Sequence, residues 1–141
     1  MFKKIFKKKE DQAQGRGSIL ITALLIHAAR IDENYTDAEK EIILRAIMDL
    51  DQTSREDSQI LLNQAEKKEE ESNQIVEFTK EIKKYPMDFR LRVIEIIWKI
   101  VYSDKTNDDY ESNLIRRICG LLYVSDIDNG IIKKRVQDTL K

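Results

Sequence analysis

ALLIHAARIDENYTDAEKEII (Ala23 to Ile43) and EIIWKIVYSDKTNDDYESNLI (Glu95 to Ile115) decide the fold. Laid over each other with Asp32 on Asp104, an offset of 72 residues, both read as an apolar helix, an acidic loop and an amphipathic helix, with Glu39 on Glu111. The same offset pairs Thr53 with Ser125 and Glu56 with Asp128 at the start of a capped third helix. A unit of this kind cannot bury its apolar face alone, so two of them are expected to share one core. The self-match therefore predicts two pseudo-repeated three-helix units, helices 1-2-3 and 5-6-7, joined by helix 4.

Periodicity outside the repeat is helical as well. Ala38, Ile42, Ile43, Ala46, Ile47 and Leu50 form one apolar stripe, and Tyr110, Leu114, Ile118, Leu121 and Leu122 form another. No stretch alternates as a strand. The spacing predicts seven helices near 18–31, 36–51, 54–68, 72–84, 87–103, 108–122 and 126–140, an all-α bundle. A single helix over 54–84 would be about 46 Å long at ~1.5 Å per residue, longer than a domain of this size is wide, which places a break near Ser72. Pro86 disfavours helix at Tyr85 and suits the first turn of the next one. Helices 1 and 5 are apolar nearly all round, apart from Arg92, Glu95 and Lys99 on helix 5, so they belong in the middle.

The chain has 141 residues, 41% of them hydrophobic, with one Cys, one His, one Pro and four Gly. That suits one domain with a core large enough to need no disulfide or structural metal. Cys119 stands alone, which excludes a disulfide framework, a Cys-rich zinc site and a CxxC redox motif. GxGxxG, GxxxxGK, GxSxG and HExxH are all missing from the sequence. Residues 1–9, MFKKIFKKK, hold five Lys and no acid, leaving 20 bases against 26 acids in the remainder. The small basic clusters of that acidic body are each offset by nearby acids, which argues against nucleic acid as a partner. Residues 1–17 read as a basic arm with a flexible joint, and 18–141 as the helical domain. The apolar run Ile19 to Ile31 is too short to span a bilayer and is closed by Arg30. Glu10 and Asp11, and the poor cleavage sites after it, argue against a signal peptide, so the expected location is cytoplasmic.

Ala28-Ala29-Arg30-Ile31-Asp32 with Glu39, then Glu95, Trp98, Tyr102, Asp104 and Glu111, then Leu121-Leu122-Tyr123-Val124-Ser125, carry a family pattern. In these residues the chain resembles the TerB-like tellurite-resistance family over roughly Ser18 to Lys141. The resemblance implies an all-helical bundle found in bacterial stress-resistance proteins, related to a module at the start of some membrane-anchored J-domain co-chaperones. The family pattern has Asp-Gly in both loops, whereas here Asp32 precedes Glu33 and Asp104 precedes Lys105.

The loops DENYTDAE (Asp32 to Glu39) and DKTNDDYE (Asp104 to Glu111) admit two readings. As oxygen-rich sets, with Asp32, Glu39, Asp104 and Glu111 as the principal ligands, they suit Mg²⁺ or Ca²⁺. As caps, Thr36 and Glu39 form a capping box and Asp108 with Glu111 can do likewise. Caps leave Asp32 and Asp104 unexplained, since each follows an apolar helix at the end whose dipole disfavours a negative charge. A cation, Arg30 or Lys105 are the candidate compensators. Tyr35, Tyr102 and Tyr110 lie near these loops and are expected to line a shared groove.

His27 reads as a structural boundary residue, Cys119 as an inert buried thiol, and Trp98 as core with its indole N–H at the edge. In the arm, Phe2, Ile5 and Phe6 share one helical face and Lys3, Lys4, Lys7, Lys8 and Lys9 the other, the pattern of a short interfacial anchor. A disordered basic leader is the competing reading, because nine residues are too few to hold a helix in water. The expected function is a non-enzymatic interaction or divalent-cation-responsive module with protein partners. The alternatives are a small metal-dependent enzyme using the loop carboxylates, and an adaptor held by its arm at the periphery of the inner membrane.

Overall fold

A computed structural model describes residues 16–31, 35–103 and 109–139. Seven helices make up the described residues: α1 (Arg16–Ala29), α2 (Asp37–Asp51), α3 (Arg55–Glu71), α4 (Val76–Ile82), α5 (Met87–Tyr102), α6 (Asp109–Leu122) and α7 (Asp126–Thr139). The expected all-α bundle is thus observed, with a strand nowhere among them.

Sequence chemistry sets most of the ends. Thr36 caps α2 as a full capping box: its hydroxyl accepts from the Glu39 N–H at 3.1 Å, and Glu39 Oε1 accepts from the Thr36 N–H at 2.8 Å. The break expected near Ser72 is there. The Ser72 N–H donates to Glu69 O at 3.3 Å and its hydroxyl to Lys68 O at 3.1 Å, while its own backbone turns extended and ends α3. Helix 4 consequently starts at Val76, later than the predicted 72, because residues 72–75 are used in that turn. Pro86 sits at the N-cap of α5 as its fixed φ requires.

The expected cap of α3 is corrected by one residue. The residue capping α3 is Ser54, bonding the Asp57 N–H at 3.1 Å, and Thr53 instead bonds the Ser58 hydroxyl. Ser125 caps α7 through the Asp128 N–H at 3.0 Å. The caps of α3 and α7 therefore lie 71 residues apart, where the sequence offset is 72, and two residues before each stands a left-handed residue, Gln52 (φ 55°) and Tyr123 (φ 59°). Tyr123 ends α6 in a Schellman turn, with the Val124 N–H on Cys119 O at 2.9 Å and the Tyr123 N–H on Gly120 O at 3.3 Å.

α1 occupies the centre, as an all-round apolar helix must. Every residue from Leu20 to Ile26 is buried, including Thr22, and α1 packs on α2, α3, α4, α5 and α6. α5 is the second long core helix, burying Phe89, Val93, Ile94, Ile96, Ile97, Trp98, Ile100 and Val101. Its polar stripe faces the seams to its neighbours, Arg92 reaching Asp49 of α2 at 3.1 Å and Glu95 meeting Arg135 of α7 at 3.3 Å. No helix among the described residues is long and apolar enough to cross a membrane.

Arg90 ties the helix ends together. Its guanidinium donates to three backbone carbonyls: Tyr85 O at 3.1 Å, Lys83 O at 3.0 Å and Leu122 O at 3.2 Å. These are carbonyls just past α4 and at the end of α6, which have no partner within their own helices. One cation on α5 thereby satisfies the C-terminal ends of two other helices. Arg90→Ala is expected to lower stability by about 2–3 kcal/mol, since charge-assisted bonds are lost and carbonyls stripped. Arg90→Lys should recover only part of this in urea titrations, because an ammonium lacks the planar fork.

Candidate functional site

The two acidic segments read from the sequence join α1 to α2 and α5 to α6, and the residues bordering the first are held by α3. Arg30, just past α1, donates from Nη1 to Glu69 Oε1 at 2.6 Å and from Nη2 to Glu70 Oε2 at 3.5 Å. His27 Nδ1 lies 3.1 Å from the other Glu69 oxygen. On the far side of the loop, the Tyr35 hydroxyl donates to Glu66 Oε2 at 2.8 Å. Two cations lie over the Tyr35 ring, Arg30 Cζ at 5.0 Å and Lys40 Nζ at 4.9 Å from its centroid. Burial first, and then the hydrogen bond to the Glu66 carboxylate, push the Tyr35 hydroxyl well above the ordinary phenol range.

Arg30, a candidate compensator for Asp32, has its guanidinium on Glu69 and Glu70 of α3, while Asp32 itself lies outside the described residues. Glu66 and Glu69, one turn apart, fasten both margins of the first acidic loop to the same helix. Sequence periodicity could not find them: EKKEEES reads as a solvated charge run until the fold brings Arg30 and Tyr35 to it.

Of the four candidate metal ligands, Glu39 is the one whose side chain lies among the described residues. It is 2% exposed, and its Oε1 accepts from the Thr36 backbone N–H and hydroxyl, so it acts as a cap. Asp32 and Asp104 lie outside the described residues, as does the side chain of Glu111. Among the described residues no three His, Cys, Asp or Glu side chains converge as a metal-binding group. Of the tyrosines, Tyr35 is committed to α3, whereas Tyr102 stacks on Trp98 at 5.5 Å and accepts a hydrogen bond from Gln137 of α7 at 2.7 Å. The Tyr110 side chain and the arm residues Phe2 to Lys9 lie outside the described residues.

A family model described as tellurite resistance protein TerB matches residues 18–134. The chain belongs to the TerB family. Among curated proteins and among solved structures none matches it. The matched span takes in both acidic loops, the α3 carboxylates and nearly all of the buried core.

Further residues of this TerB-family chain singled out by sequence fall where expected. Trp98 is buried, its indole N–H donating to Asn129 Oδ1 at 2.9 Å, with Lys133 Nζ 5.2 Å above the ring. Cys119 is buried in α6, and burial, with a smaller contribution from Asp126, pushes its thiol up to about 12. A thiol held protonated is a poor nucleophile. Because the folded pKa lies above the ordinary value of 9.0, its contribution to stability is full below about pH 9 and is lost as pH rises towards about 12. Disulfide-exchange reagents at about pH 8 should therefore label Cys119 orders of magnitude more slowly in the native chain than in urea. Fast native labelling would contradict this burial.

Proposed function

We propose that this TerB-family chain is a non-enzymatic module of a tellurite-resistance-type stress response, acting through protein partners or through a divalent cation, of which the cation is the reading developed from the acidic loops. The observation that carries the reading is the family match over residues 18–134, within which both acidic loops lie. Asp32 and Asp104 are the residues on which cation binding turns, since Glu39 is already engaged as a cap. Carboxylate, hydroxyl and amide oxygens favour Mg²⁺ or Ca²⁺ over softer metals.

What supports a binding role is the way the first loop is mounted. Arg30 and Tyr35 fix its two margins on α3, so a ligand held between them would be reported to the Glu66–Glu69 face of the bundle. The shifted acids of the described core, Cys119, Tyr35 and Tyr85, are all moved by burial towards their protonated forms, which suits packing rather than proton transfer.

The test is calorimetric titration of Mg²⁺, Ca²⁺, Mn²⁺ and Zn²⁺ into metal-free protein, with the melting temperature followed alongside. Saturable binding of Mg²⁺ or Ca²⁺ is expected, with a rise in melting temperature by mass action. Asp32→Asn and Asp104→Asn should each abolish both signals. Absence of binding, with both variants as stable as the parent or more so, would make the aspartates tolerated charges and remove the cation from the reading.

A further inference from the structure

α7 carries an outer face that the bundle leaves uncovered. Ile127 is 75% exposed and Ile131 57%, while Ile132 and Val136 on the opposite side of the same helix are buried. At about 3.6 residues per turn Ile127, Gly130, Ile131 and Lys134 fall together on the outward side. Tyr123, 70% exposed in the left-handed turn leading into α7, adjoins the start of this face.

Two observations indicate what covers it. Gly130 sits mid-helix, where glycine weakens the helix relative to alanine, yet a Cβ placed on it would meet nothing within 4 Å. Nothing among the described residues requires a glycine there, whereas a second helix approaching closely would. Over the span that carries the isoleucines the charges differ by end: Asp126 and Asp128 flank Ile127, and Lys134 and Arg135 follow Ile131, all four exposed, with the exposed Asp138 one turn beyond Lys134. Asp128 and Arg135 are two helical turns apart on one edge. Acids beside Ile127 oppose an anionic lipid surface, but they complement a copy of the same helix run in the opposite direction.

We propose that α7 is a self-association face, on which a second copy of this chain docks with its own α7 antiparallel about a two-fold axis near Ile131. In that arrangement Ile131 meets its counterpart, Gly130 lets the backbones approach, and the methylene stem of Lys134 covers the opposing Ile127. The Asp128 edge of each copy then lies over the Arg135 edge of the other, as an isologous contact demands. Arg135 already meets Glu95 at 3.3 Å, so the contact extends an existing ion-pair cluster. A patch of this size makes a small interface and a weak, concentration-dependent dimer. The inference is independent of cation binding and survives its failure.

Sedimentation equilibrium of the full chain from about 5 to 500 µM tests it. A monomer–dimer equilibrium is expected within that range. Ile127→Glu with Ile131→Glu should abolish it while leaving the circular dichroism spectrum and melting curve at low concentration unchanged, because both side chains already face water. Asp128→Arg should weaken association at least tenfold, while Asp128→Glu, which keeps the charge, should leave it within about twofold. Gly130→Ala should raise the melting temperature of dilute protein yet weaken the dimer. The proposal is overturned by a chain that stays monomeric throughout, or by a dimer indifferent to these substitutions. It is equally overturned if the face of a monomeric chain binds phosphatidylglycerol vesicles in a manner lost with the isoleucines.

Discussion

Burial of α1 from all sides is the constraint on which the rest of the structure depends. Seven consecutive residues, Leu20 to Ile26, offer no polar face to water, so no two-layer arrangement can accommodate them. The chain resolves this by surrounding α1 with five other helices. Each fully buried Leu or Ile there contributes roughly 1.5–3 kcal/mol relative to exposure, enough to offset the ordering of short elements such as α4. α4 spans only Val76–Ile82 and would not persist alone; it is held because Phe78 and Ile82 face that core.

A central helix burdens the periphery with unfinished ends, and polar side chains on neighbouring helices complete them. Arg90 of α5 serves carbonyls beyond α4 and at the end of α6. Glu69 and Glu66 of α3 receive the residues on either side of the α1–α2 connection. Glu81, buried in α4, lies against the first turn of α1, where its carboxylate oxygen would be 2.9 Å from any Cβ placed on Gly17. An anion at that end of a helix is favoured by the helix dipole, and glycine leaves room for it. Ion pairs thus gather at helix ends and seams, while the interior is left to apolar contact.

The parts of this architecture written in local chemistry were legible in the sequence. Pro86, the Thr36–Glu39 capping box and the apolar stripes of α2 and α6 act within a few residues of themselves, so they could be read without the fold. The cap of α3 was misplaced by one residue because Thr53 and Ser54 are both competent caps and only the backbone chooses between them. Glu66, Glu69 and Arg90 were illegible, since their partners lie between 5 and 42 residues away along the chain. The two isoleucines of α7 look like ordinary core residues by composition, and only the direction in which α7 packs on α5 shows that they point outward. Of the candidate carboxylates, Glu39 was legible as a cap because its partner Thr36 is three residues away.

Native-state hydrogen exchange measures the central claim most directly. If α1 is the element around which the bundle closes, the amides of Leu24, Leu25 and Ile26 should exchange only through global unfolding, with a denaturant dependence equal to that of the whole chain. Amides of α7, packed on one side only, should open earlier. Exchange of the α1 amides through a partial opening that leaves α5 and α7 protected would contradict the account.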